Sequence, residues 1–139
     1  MTIVHANDIL ATEGSPSVWE GRSAALLKLF GPVLVVTGIL GFVTPPSLAL
    51  MSGAAPYNIF HIAFGLLGTA LAYKAPPRYA SLFNAAFGAI DLYQALASVA
   101  GLPPTAQFAY KPADDLLHVV LGLALVAVGV AGLRRSARP

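Results

Sequence analysis

Residues 57–73 read YNIFHIAFGLLGTALAY, and residues 114–133 read DDLLHVVLGLALVAVGVAGL. Each is close to the length a helix needs to cross a bilayer, about 20 residues. Each also places a histidine and then a glycine at the same positions, His61 and Gly65 in the first, His118 and Gly122 in the second. These residues stand 57 positions apart, and the same offset relates Phe30 to Phe87, Gly31 to Gly88, Leu66 to Leu123 and Ala70 to Ala127. Asn58 maps onto Asp115 without a gap, and Pro45-Pro46 corresponds to Pro103-Pro104 within one residue. The chain therefore reads as two copies of a helical hairpin.

Working outward, the first hairpin opens with an apolar stretch at about 25–43 and the second with one at about 80–100. With the two quoted stretches this makes four spans, near 25–43, 57–73, 80–100 and 114–133. Pro45-Pro46, Pro76-Pro77 and Pro103-Pro104 lie in the connections, where a fixed φ and a missing N–H end helices. The expected fold is an all-α membrane protein, a four-transmembrane-helix bundle built from two parallel helical-hairpin repeats. Residues 1–24 are expected as a polar N-terminal segment and 134–139 as a basic tail. Small residues at helical spacing, such as Thr37/Gly41, Gly65/Thr69, Ala85/Ala89 and Ala127/Ala131, offer places for helices to approach closely.

Composition agrees. Of 139 residues 57% are hydrophobic and only 10% charged, where soluble domains carry roughly a quarter charged. The mean hydropathy is +0.74. Eight Lys and Arg against six Asp and Glu, with no basic run or aromatic platform, argue against nucleic acid as a partner. The absence of cysteine excludes disulfides, thiol catalysis and cysteine-ligated metals. Residues 1–24 contain Asp8, Glu13, Glu20 and Arg22, unlike a cleavable signal peptide, so the first span is expected to serve as a retained anchor.

The basic residues set the expected orientation. Arg22 and Lys28 lie at the start of span one, Lys74 and Arg78 between spans two and three, and Arg134, Arg135 and Arg138 after span four. The opposite connections contribute only Lys111. Both termini are thus expected in the cytoplasm, with Trp19, Tyr73, Tyr79 and Tyr110 near the interfaces.

Polar groups inside the spans are few. On a helix, residues three apart share a face, so Asn58 is placed beside His61 and Asp115 beside His118, at matching depths under the outer ends of spans two and four. Asn58 and Asp115 also suit helix N-termini, where they satisfy orphan N–H groups. The histidines can pin the hairpins together by hydrogen bonds, or supply two axial imidazoles to a haem b, or handle protons. Asp91 lies near the middle of span three with Gln94 on the same face, and its counterpart in span one is Leu34. An acid at that depth is costly. It is read either as hydrogen-bonded to a neighbouring helix or as a contact for a proton, a pigment, a quinone or a partner subunit. His5 is expected to be solvated. No nucleophile–base pair, phosphate loop or metal-spaced cluster is apparent, so neither catalysis nor a metal is expected.

Asn58, His61, Gly65 and Gly68 in span two, Asp115 and His118 in span four, and Gly38, Gly41 and Phe42 closing span one form a pattern. It resembles an uncharacterised family of small four-transmembrane-helix bacterial membrane proteins, a domain of unknown function, over residues 25–133. Where family members often carry a second glycine in span four, this chain has Leu125. The resemblance implies a fold and a membrane rather than an activity. The functional expectation is a non-enzymatic accessory or scaffold subunit, of respiratory or photosynthetic type, beside other subunits in a bacterial cytoplasmic membrane. Its alternative is a protein that binds haem b or a pigment, or handles protons or a solute.

Overall fold

The computed structural model describes residues 16–136; His5, Arg138 and most of the N-terminal segment lie outside them. Among the described residues there are four long helices and one short one. They are α1 (Val18–Val43), α2 (Ala55–Lys74), α3 (Pro77–Ala100), α4 (Thr105–Phe108) and α5 (Pro112–Ser136). The four long ones are each long and apolar enough to cross a membrane. The protein is an all-helical, multi-pass membrane bundle.

α1 begins seven residues before the expected boundary. Ser17 Oγ accepts the Glu20 N–H at 3.2 Å, and the Glu20 carboxylate accepts the Ser17 N–H at 2.8 Å. This capping box satisfies two orphan donors and carries the helix through Trp19 and Arg22, whose polar character had placed them in the leading segment. The Arg22 guanidinium lies over the Trp19 ring, 4.7 Å from its centroid. Prolines open α2, α3 and α5 within their first turns, where no N–H is lost from the ladder. α3 ends at Gly101, which takes φ 65° in the left-handed region.

The hairpin repeat is visible in the packing. α1 packs mainly on α2, and α3 mainly on α5. In the first pair a Cβ on Gly65 would sit 2.8 Å from the Gly31 carbonyl oxygen; in the second, a Cβ on Gly122 would sit 2.9 Å from that of Gly88. These glycines are equivalent at the 57-residue offset, and each pair brings two backbones together, as packing without a hydrophobic drive requires. Leu125, where a second glycine was the alternative, is instead part of the core. Gly122, Gly129 and Gly132 carry the close approaches of α5.

The two hairpins meet along α1, which packs on both α3 and α5. Leu27, Phe30 and Leu34 face inward from α1, and Asn84, Phe87 and Asp91, their equivalents, do so from α3. Phe30 and Phe87 touch edge to face, ring centroids 5.7 Å apart. Residues equivalent in the repeat thus touch where the hairpins meet. By contrast, no Cα of α2 comes within 8 Å of a Cα of α5. That seam is spanned by side chains alone.

Candidate functional site

The seam between α2 and α5 is bridged at the end of the bundle that carries connections 44–54 and 101–111. Tyr57, in the first turn of α2, is almost fully buried. Its hydroxyl lies 3.1 Å from Asp114 Oδ1 and 2.9 Å from His118 Nε2. Tyr57 and Asp114 are themselves equivalent at the 57-residue offset, so they too touch where the hairpins meet.

Asp114 organises the cluster. Its Oδ2 accepts the backbone N–H groups of Ser52 at 2.9 Å and Lys111 at 2.8 Å. The second of these caps the start of α5. With two N–H groups on one oxygen, Asp114 is an acceptor at the other, and Tyr57 donates to it. The Tyr57 oxygen then accepts Nε2–H of His118, which assigns the tautomer and leaves His118 Nδ1 with a bare lone pair. That nitrogen is buried and has no hydrogen-bond partner.

The two connections are tied together around this network. Ser52 Oγ donates to the Phe108 carbonyl, and Lys111 Nζ donates to the Ala49 carbonyl at 2.7 Å. Tyr110, which lies between the spans, donates its hydroxyl to Gln94 Oε1 at 3.0 Å. Burial, followed by the nearby Asp114, pushes the Tyr110 hydroxyl up from its ordinary range, which keeps it a donor.

His61 stacks edge-on against Tyr57, ring centroids 4.2 Å apart, and His118 lies 5.9 Å from the same ring. The structure thus brings His61 and His118 together around a tyrosine. The Tyr57 hydroxyl engages His118 Nε2, so among its ring nitrogens only Nδ1 is left for another partner.

The other expected residues fall in different places. Asn58 is buried, but it donates to the Gly53 carbonyl at 3.2 Å and closes the α1–α2 connection rather than serving His61. Asp115 is only half-buried and its Oδ1 has no partner. Asp114, one residue earlier and one full turn before His118, takes the place expected for Asp115. The reason is that the connection from Ser52 arrives on the Asp114 side of α5, a contact across 62 residues that local spacing does not encode.

Asp91 is 3% exposed, and its carboxyl makes no hydrogen bond among the described residues. It lines a cavity of about 160 Å³ together with Tyr57, His61 and His118. A second cavity, of about 260 Å³, opens under connection 44–54. The two share Thr37, Met51, Tyr57 and His61 in their walls. Gln94 lies next to this site rather than in it, held by Tyr110.

A further polar contact was not legible in the sequence. Asn84 Nδ2 donates to both Oγ and the carbonyl oxygen of Ser23, each at 2.9 Å, joining α3 to α1. The repeat marked only the residue, since Asn84 stands opposite Leu27 just as Asp91 stands opposite Leu34. Comparison with protein-family models, with curated proteins and with solved structures returns no match.

Proposed function

We propose that the protein is a small non-enzymatic accessory protein of a bacterial cytoplasmic membrane that holds a cofactor-like ligand, or relays protons, at the Asp91 cavity. One observation carries this reading: Asp91, His61 and His118 converge on one cavity while the Asp91 carboxyl has no hydrogen-bond partner among the described residues. A purely structural polar group would be expected to bond a neighbouring helix, as the Asn84 Nδ2 group does to Ser23. Buried polar groups without partners inside a membrane are costly, and proteins keep them where they do work.

In this reading connections 44–54 and 101–111 face outward and both termini face the cytoplasm, as the basic residues favour. The chain has no cysteine, so single replacements report the orientation cleanly. An impermeant maleimide on intact cells is expected to label Leu50→Cys and to miss Arg78→Cys; the reverse pattern overturns the orientation.

The functional reading is tested by extraction from native membranes in mild detergent. The protein is expected to elute with a bound lipophilic compound or with partner subunits, and Asp91→Leu to lose the compound. A protein that elutes empty, with Asp91→Leu also unchanged in vesicle proton flux, contradicts the reading.

A further inference from the structure

Comparing the two hairpins shows why the 160 Å³ cavity exists. In one half the space beside Phe87 is filled by Phe60 and Phe64, whose rings lie 5.9 and 5.4 Å from it. In the other half the residues equivalent to Phe60 and Phe64 are Leu117 and Leu121, beside Phe30, and all three line the cavity. Two phenyl rings are thus replaced by two smaller side chains at one of two equivalent places. Buried cavities of about 150 Å³ accept benzene, so this one has room for a single aromatic ring against Phe30.

Its polar groups define the rest. Asp91, His61 and His118 are 3%, 6% and 5% exposed, each in the cavity wall. Among the described residues the His118 Nδ1 lone pair and the Asp91 carboxyl have no hydrogen-bond partner. His118 Nδ1 accepts, and the Asp91 carboxyl accepts at its carbonyl oxygen whether or not it carries a proton, so a ligand that donates suits both. The wall also includes Val33 and Leu117, which are 47% and 37% exposed on the lipid-facing side of α1 and α5. A ligand can therefore come from the bilayer and leave an apolar tail in it.

We propose that the cavity between Phe30, Asp91, His61 and His118 binds a lipid-soluble hydroxylated aromatic ring of the quinol type, its hydroxyls donating to Asp91 and His118. The proposal rests on the ligand-site reading above and narrows it to one chemical class. A ring that only donates and accepts hydrogen bonds here undergoes no reaction in the binding step.

The test uses full-length protein in detergent with ¹⁵N-labelled histidine, and three probes: a decyl-substituted benzoquinol kept reduced, its quinone, and decylbenzene. The quinol is expected to shift the His61 and His118 signals saturably while His5 stays still. It should bind about tenfold more tightly than decylbenzene, the scale of one hydrogen bond. Asp91→Leu should reduce that advantage, the bond to His118 remaining. Leu121→Phe, which copies the filled half of the molecule, should abolish binding with the fold retained. Equal binding of quinol and decylbenzene overturns the hydroxyl claim and leaves a ligand site standing. Tighter binding of the quinone than the quinol overturns the assignment of donors. If no probe binds and extracts of native protein and of Leu121→Phe carry the same compounds, both the inference and the ligand-site reading fail.

Discussion

Tyr57 gives its hydroxyl hydrogen to Asp114 and receives one from His118, so deleting one oxygen strands two buried partners. Tyr57→Phe is expected to cost about 1–3 kcal/mol, read as a lower unfolding temperature in detergent. The two polar residues on α3 should behave oppositely. Asn84→Leu leaves the buried Ser23 hydroxyl without its partner and is expected to destabilise by about 1–2 kcal/mol. Asp91→Leu removes a carboxyl that has no hydrogen-bond partner among the described residues, at a position whose equivalent is already Leu34. It is expected to leave the unfolding temperature unchanged or higher while weakening ligand binding, since exchanging an unsatisfied polar group for an apolar one is neutral or favourable. A marked drop in stability for Asp91→Leu would show that the acid is structural. The sequence pointed to Asp91 because the repeat offered a comparison at each position. It did not reveal that Tyr57 belongs to the site, although Tyr57 and Asp114 sit at the same offset as the histidines. A tyrosine near a membrane interface has an ordinary explanation, and only the fold shows that its hydroxyl turns inward.

At the scale of helices, the close crossings and the caps are what substitutions probe. A Cβ on Gly88 would sit 2.7 Å from the Gly122 carbonyl oxygen, so Gly88→Ala is expected to cost about 1–3 kcal/mol by forcing α3 and α5 apart. Gly21 on α1 meets nothing within 4 Å, so Gly21→Ala should instead stabilise, by about 0.5–1 kcal/mol of helix propensity. Opposite signs at two helical glycines, measured in one unfolding assay, separate packing from backbone entropy. Ser17→Ala should cost about 1 kcal/mol and speed amide exchange over the first turn of α1. The spans were legible because twenty apolar residues leave few alternatives. Their ends were less so: Glu20 and Arg22 made the start of α1 look like a soluble segment until Ser17 supplied a cap. The pairing of Asp114 rather than Asp115 was hidden for a related reason, since it depends on where Ser52 arrives from a different connection.

For the molecule as a whole, the hairpins hold together at three levels: Asn84 on Ser23, Phe87 on Phe30, and Tyr57 on His118. Phe87 also lies within 6 Å of the rings of Phe60, Phe64 and Phe83. Phe87→Ala should therefore be among the most destabilising changes, about 3–5 kcal/mol, and should loosen contacts within and between both hairpins together. Having both hairpins in one chain carries a chemical consequence as well. If the bundle were a pair of identical hairpins, an acid placed at the Asp91 position would meet its own copy at the Leu34 position. Two facing carboxyls at that depth would have to share a proton or repel one another. Covalent fusion lets one hairpin keep leucine while the other carries the acid. The molecule can thus hold a lone acid at mid-membrane, something a self-paired hairpin could not do.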